Sequence, residues 1–187
     1  GGPTWGVTDG RQALTLDGVD DYVDVGVKSS LNIPRDITLT AWIRPLSISV
    51  RMAVVADFNT GGTLSQWGME INRGTNGTVS FIHRNTSEVA LSSSSVLVAN
   101  KWQHIAATRV GVSGNWTVSL YHNGVLNASP TSSIDPSAQQ IAAISRFGGL
   151  LQNGLRLNGQ IADTRIYNRA LSPQEIRLLA QRPGIAY

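Results

Sequence analysis

The sequence contains no cysteine, and it has few lysines, few glutamates and no long apolar run. Without cysteine, neither a disulfide nor a thiolate metal site can form, and nothing follows about the cellular compartment. Because no stretch of about 18 consecutive apolar residues occurs, the sequence predicts no insertion into a membrane. No signal peptide leads the printed sequence, and we interpret Gly1 and Tyr187 as the ends of a mature or excised fragment.

The positive charge is carried almost entirely by arginine. Lys28 and Lys101 are the only lysines among 15 basic residues, which outnumber the 12 acidic residues and give a formal net charge of +3. The arginines are scattered along the chain, whereas proteins that bind nucleic acid concentrate basic residues in a patch or a helical stripe. We therefore expect no nucleic-acid partner.

The shortage of glutamate argues against a hydrolase. Glycoside hydrolysis requires two carboxylates roughly 5–9.5 Å apart in a cleft. The glutamates Glu70, Glu88 and Glu175 do not form a close-spaced acidic motif, and Glu175 is expected at a helix start. The three histidines, His83, His104 and His122, lack the His-x-His or His-x-x-x-His spacing of a zinc site. The sequence predicts a non-catalytic protein.

Short runs of alternating apolar and polar residues, separated by turn residues, indicate about a dozen β-strands. An Asn123-Gly124 turn marks the clearest hairpin, and the serine run 92–95 is interpreted as a loop or an edge. The clearest strand candidates span residues 37–44, 50–58, 67–71, 79–83, 101–110, 116–126 and 161–167. This pattern predicts an all-β fold of two packed antiparallel sheets.

One helix is expected near the carboxyl terminus. Ser172 is a suitable N-cap, Pro173 occupies the first helical position, and Glu175 completes a capping box. The helix must end before Pro183. We predict one domain over residues 1–187, with a core of about 12–180.

The most unusual stretch is an acidic turn within residues 14–25, which reads as strand, Asp-Gly turn and strand. It contains Asp17, Asp20, Asp21 and Asp24. Carboxylates this close together must be solvated, neutralised by backbone N–H groups and arginines, or gathered by a hard cation. The sequence leaves these alternatives open.

Aromatic residues supply the candidate ligand-binding site. Trp42 and Trp102 are expected to pack in the core, whereas Trp67 and Trp116 adjoin polar turns and are candidates for presenting their rings to solvent. Packing within hairpins is the alternative for both. Sugar-binding sites combine an aromatic platform with amide, hydroxyl and guanidinium groups. Such groups are offered by Gln66, Arg84, Tyr121 and Asn123.

Five segments, in order, resemble the laminin-G-like (LamG) jelly-roll family of the concanavalin A-like lectin/glucanase superfamily. They are LDGVDDYV (16–23), ITLTAWIRP (37–45), KWQHIA (101–106), LYHNG (120–124) and GQIADTRIYNRALS (159–172). The resemblance implies a two-sheet jelly-roll sandwich whose members are mostly non-catalytic binding or adhesion modules. It also implies a structural Ca²⁺ held by Asp17, Asp20 or Asp21 together with Asp163, although one acidic ligand is replaced by Ala162 here. The alternative is that Asp17 serves the turn, Asp163 pairs with Arg165, and no ion binds.

We therefore predict a module that recognises a glycan or surface polysaccharide on an exported protein, at an extracellular, cell-surface or virion-surface location. The alternative is a structural subunit of a virion decoration, a fibre or a surface layer, whose partner is another copy of the chain or another protein subunit.

Overall fold

The structure is a computed structural model that describes residues 1–58, 64–85, 88–94, 96–136, 144–148 and 154–181. This part of the chain forms fourteen strands and one α-helix, with a short 3₁₀ turn at Ser29–Leu31. The elements are β1 (Thr4–Thr8), β2 (Arg11–Asp17), β3 (Val23–Gly26), β4 (Ile37–Pro45), β5 (Met52–Phe58), β6 (Leu64–Ile71), β7 (Val79–Arg84), β8 (Glu88–Ser92), β9 (Gln103–Val112), β10 (Asn115–His122), β11 (Val125–Ala128), β12 (Thr131–Ser132), β13 (Ile144–Phe147), β14 (Asn158–Tyr167) and α1 (Pro173–Gln181).

The strands form two antiparallel sheets. The first has eight strands in the order β1-β2-β14-β4-β9-β10-β11, with β12 paired to β10. The second has six strands in the order β3-β13-β5-β6-β7-β8. The predicted all-β sandwich with one carboxyl-terminal helix is confirmed.

The core lies between the two sheets, and on most of the long strands it is built from alternate residues. On β4, Ile37, Leu39, Ala41 and Ile43 are fully buried. Trp67, Met69 and Ile71 on β6 belong to the same cluster, as do residues of β7, β9 and β10. Alternate residues of a strand point to opposite faces, so one apolar row per strand is enough to fill the space between the sheets.

The acidic turn connects the two sheets. β2 belongs to the eight-stranded sheet and β3 to the six-stranded sheet, so the Asp-Gly turn between them is not the tip of a hairpin. Gly18 has a φ of +77°, and a Cβ there would lie 2.6 Å from the Cβ of Asn158. Glycine is required at this position by both its backbone conformation and the closeness of β14.

The predicted Asn-Gly turn and the predicted helix cap are both confirmed. Asn123 and Gly124 both have positive φ, and they join β10 to β11. The Ser172 N–H donates to Glu175 Oε2 at 2.8 Å, and the Glu175 N–H donates to Ser172 Oγ at 3.3 Å, which is a capping box. Leu171 and Ile176 share a cluster with Tyr121, so α1 packs on the outer face of the eight-stranded sheet.

Four observed strands, β1, β8, β12 and β13, are not among the strand candidates of the sequence analysis. β1 was not predicted, because an exposed strand that contains Gly6 lacks a buried apolar row. The serine run agrees with its interpretation as a loop or an edge, because Ser92 ends β8 at the edge of the six-stranded sheet; Ser95 lies outside the described residues. Among the described residues, no helix is long and apolar enough to cross a membrane.

Candidate functional site

The acidic turn folds around its own carboxylates. Oxygens of Asp17, Asp20 and Asp21 lie within 4.8 Å of one another. Asp17 Oδ1 accepts the backbone N–H groups of Val19 at 2.8 Å and Asp20 at 3.2 Å. The hydrogen bond from Val19 is the main cause that holds the pKa of Asp17 below its ordinary value. One oxygen of Asp17 therefore stabilises the turn, as its position in an Asp-Gly turn predicts.

Asp21 differs from its neighbours because it is buried. Its Oδ2 accepts the Asp17 N–H at 3.0 Å, whereas its Oδ1 is inaccessible to solvent and has no hydrogen-bond donor among the described residues. A buried carboxylate oxygen without a partner is costly. Oxygen donors are those that Ca²⁺ prefers, so these three carboxylates fit such an ion.

Asp163 does not join this cluster, so the prediction that it lies close to Asp17–Asp21 is wrong. The pairing of β2 with β14 is present as expected, but its register places Asp17 opposite Asn158 and Leu14 opposite Ile161. Continued to the other end of β2, this register places Asp163 opposite Gln12, roughly 17 Å along the strand from Asp17. Asp163 instead forms a two-point ion pair with Arg165, at 2.6 Å and 3.1 Å.

The expectation that Trp67 and Trp116 present their rings to solvent is wrong. Trp67 is 0% exposed within the core, and its Nε1–H donates to the Leu31 carbonyl oxygen at 3.2 Å. Trp116 is 4% exposed and donates to Asp135 Oδ1 at 2.7 Å. Both residues occupy the inward-facing parity of their strands, next to core residues.

The polar residues predicted to accompany these tryptophans are not gathered around them. Tyr121 is buried under α1, and the Asn123 side-chain oxygen accepts the His104 N–H at 2.9 Å. Arg84 lies on β7 opposite Glu88. The side chain of Gln66 lies outside the described part of the structure. A role in ligand binding stays a prediction for Arg84, Asn123 and Gln66.

An open cleft at the edge of the sandwich was missed by the sequence analysis. It has a volume of about 340 Å³ and opens between β1, β2 and β14 of one sheet and β3 of the other. All five tryptophans lie in the described part of the chain, and Trp5 is the exposed one, at 70%. The cleft is lined by Trp5, Gln12, Leu14, Val23, Ile161, Ala162, Asp163 and Thr164.

Comparison with known families identifies the fold. A family model described as the concanavalin A-like lectin/glucanases superfamily, of laminin G type, matches residues 17–177. The chain belongs to this superfamily. A comparison with curated proteins gave no match.

Solved structures with the superfamily fold include domains from two glycan-processing enzymes. Domain 4 of AbnA, a GH43 extracellular arabinanase from Geobacillus stearothermophilus, in complex with arabinotriose, is 19% identical, with a TM-score of 0.74 over 97% of this chain and 82% of that chain. The CBM40 of the Ruminococcus gnavus IT-sialidase, bound to α2,3-sialyllactose, is 14% identical, with a TM-score of 0.65 over 86% of this chain and 97% of that chain.

A third similar structure is the receptor-binding domain of botulinum neurotoxin C/D mosaic serotype. It is 20% identical, with a TM-score of 0.67, and the match covers 95% of this chain but only 44% of that chain. At these identities the likeness shows a shared fold.

The glutamates of this superfamily member are engaged in ion pairs. Glu70 is buried and forms ion pairs with Arg51, at 2.7 Å, and with Arg73, at 3.2 Å. Glu88 also pairs with Arg73. The Arg169 guanidinium, together with the cap at Ser172, lowers the pKa of Glu175 to about 2. These contacts give each glutamate a structural role.

His104 belongs to a cluster of aromatic residues on the outer face of the eight-stranded sheet. Its ring meets the Trp42 ring edge-on at 5.5 Å, and the Arg11 guanidinium lies 3.8 Å from the Trp42 ring centre and 5.2 Å from that of Trp102. Burial lowers the pKa of His104 to about 4, so the ring is neutral at pH 7. Trp42 and Trp102 are only partly buried and pack around Arg11 in this outer cluster, so the expectation that they lie in the core is wrong; Trp42 faces outwards because its neighbours Ala41 and Ile43 face the core.

Because the pKa of His104 is lowered in the folded chain, the free energy of unfolding should decrease as the pH is lowered. The unfolded chain binds this proton near pH 6.5 and the folded chain near pH 4, so the stabilisation is complete above pH 6.5 and is lost as pH falls from 6.5 towards 4. The loss for this residue is about 3 kcal/mol. Urea unfolding of the wild type and of His104→Gln at pH 7 and pH 4 should show a smaller pH effect in the variant. Equal pH dependence in both proteins would contradict the assignment.

Proposed function

We propose that this chain is a non-catalytic glycan-binding module and that the edge cleft is its binding site. The observation that carries the proposal is the position of Trp5, which is the exposed indole and lines an open apolar cleft beside the polar side chains of Gln12, Asp163 and Thr164. An aromatic ring can pack against the apolar C–H face of a sugar, while polar groups at the rim fix its hydroxyls. Two structures with the same fold hold arabinotriose and α2,3-sialyllactose.

The chemistry of the cleft supports binding without catalysis. Asp163 is the one carboxylate among the described residues that line it, and both of its oxygens are paired with Arg165. A glycoside hydrolase would need a second carboxylate roughly 5–9.5 Å away. We propose an exported or surface protein as its context, which is supported by the similar domain of an extracellular arabinanase.

The first test is glycan binding and its dependence on Trp5. We expect an array of plant, bacterial and animal glycans to give binding, and Trp5→Ala to weaken the affinity at least roughly tenfold by removing the stacking surface. Titration calorimetry with an array hit measures the change. The control is Val125→Ala, which truncates an equally exposed side chain on β11 at the opposite sheet edge. Absence of binding across the array, or equal affinity of Trp5→Ala and wild type, would refute the proposed site.

We further propose that the acidic turn holds a structural Ca²⁺. Asp17, Asp20 and Asp21 would hold the ion, supported by the buried Asp21 oxygen without a described partner. The ion would stabilise the connection between the two sheets and take no part in a reaction.

This calcium proposal predicts a melting temperature that depends on the ion. At a Ca²⁺ concentration one hundred times the dissociation constant, the stabilisation is about 2.7 kcal/mol, which raises the melting temperature of a chain this long by roughly 5–10 °C. Asp21→Asn should abolish the shift, whereas Asp9→Asn, outside the turn, should keep it. A wild-type melting temperature that is the same in EDTA and in Ca²⁺ would refute the site.

A second candidate function, self-assembly, is favoured by the edge strand β1. Thr4–Thr8 carries no charge and no proline, and Val7 is 73% exposed. Edge strands usually carry charges, prolines or bulges that prevent pairing with another chain. Antiparallel pairing of two copies about Gly6 would place Trp5 of one copy opposite Val7 of the other, with both side chains on one face.

If assembly is the function, we expect the wild type to form dimers or larger species in light scattering. Val7→Lys should make the chain monomeric, because a lysine at the centre of the pair places two like charges close together. Val125→Lys on the opposite edge strand is the control and should not change the mass. A monomeric wild type at high concentration would refute assembly.

A further inference from the structure

The charge of the edge cleft restricts the glycans that it can accept. Seven of the eight described residues that line it are uncharged, and the eighth is Asp163. Arginines and lysines are absent from this lining. Two guanidinium groups lie near Asp163 outside the lining: that of Arg165, which Asp163 holds through both Nε and Nη2, and that of Arg11, which is buried and packs against the Trp42 ring. Neither guanidinium belongs to the lining, so the one charged residue that lines the cleft is a carboxylate.

The backbone of β14 holds Asp163 in this position. Asp163 has a φ of +47°, in the left-handed region, and the pairing of β14 with β4 shifts register between Ala162 and Arg165. A bulge of this kind redirects a side chain and costs the chain backbone strain. The Arg165 ion pair then fixes the carboxylate, whose side chain keeps 18% of its surface exposed. The acceptor is thus positioned before any ligand arrives.

A carboxylate held in this way can recognise hydroxyl groups. Its two oxygens offer about four acceptor sites, of which the two hydrogen bonds from Arg165 use two. The remaining sites can accept hydrogen bonds from sugar hydroxyls, and hydrogen bonds to a charged acceptor are roughly twice as strong as neutral ones. A carboxylate or sulfate on the ligand has no proton to donate to these oxygens, and it would lose its own hydration in a partly apolar cleft whose lining offers it no cation.

We propose that the cleft selects neutral glycans over acidic ones, with Asp163 as the residue that determines this specificity. The inference rests on the proposed glycan-binding function, and it adds the class of ligand. The neutral sugar would place its C–H face on Trp5 and its hydroxyls on Asp163, and the uncharged Gln12 and Thr164 would complete the rim.

The test compares matched neutral and acidic probes. An array carries arabinotriose, lactose, α2,3-sialyllactose, and several neutral oligosaccharides beside the same oligosaccharides with one sugar oxidised to a uronic acid. We expect binding to neutral members and at least tenfold weaker binding to their uronic-acid counterparts. Asp163→Asn keeps the size of the side chain and one acceptor, and it should weaken neutral binding roughly tenfold and reduce the discrimination. The control is Glu88→Gln, which removes another arginine-paired carboxylate, on β8 of the other sheet.

A second variant keeps the test valid if Asp163→Asn does not fold. Gln12 is an exposed position of the lining, and Gln12→Lys is expected to let acidic probes bind by adding a cation to the cleft. Binding that requires Trp5 but is equal for neutral and acidic members, in the wild type and in both variants, overturns the specificity and leaves the glycan function standing. Absence of binding to every probe overturns the function and the specificity together.

Discussion

The structure depends on burying apolar rows from its long strands between two sheets. Ile37, Leu39, Ala41 and Ile43 show this on β4, where all four are fully buried. Each large aliphatic side chain buried in this way contributes roughly 1.5–3 kcal/mol. Because the side chains alternate along a strand, the same burial fixes which residues face outwards, including Trp42 above this row. The alternation therefore also decides which side chains of a strand are available on its outer face.

β14 contributes residues both to the core and to the cleft. It pairs with β2 on one side and with β4 on the other, so its position is determined from both directions. Ile161 packs in the core, whereas the next residues leave the regular register, and Asp163 in this segment lines the cleft. A central strand can hold such an irregular segment because its neighbours supply the stability that the bulge loses.

The sequence predicts those features that are determined locally. The Asn123-Gly124 turn and the Ser172–Glu175 capping box depend on residues within four positions of each other, and both are present. The burial of Trp67 could have been inferred from its parity with Met69 and Ile71, which was a stronger signal than the polar turn beside it. Trp5 could not be found in this way, because β1 is an edge strand with no buried row against which the parity of Trp5 could be compared.

The position of Asp163 shows why the site is harder to predict than the fold. A family resemblance indicates that β2 and β14 meet, and they do. It does not give the register, and each residue of register moves a side chain by about 3.3 Å and to the opposite face. An aspartate at position 158 would lie opposite Asp17 and could share an ion with it. Asp163 lies five residues further along β14 and is paired with Arg165 instead. The acidic turn and the cleft are therefore two distinct sites, and the stability of the first and the binding of the second should be separable by substitution.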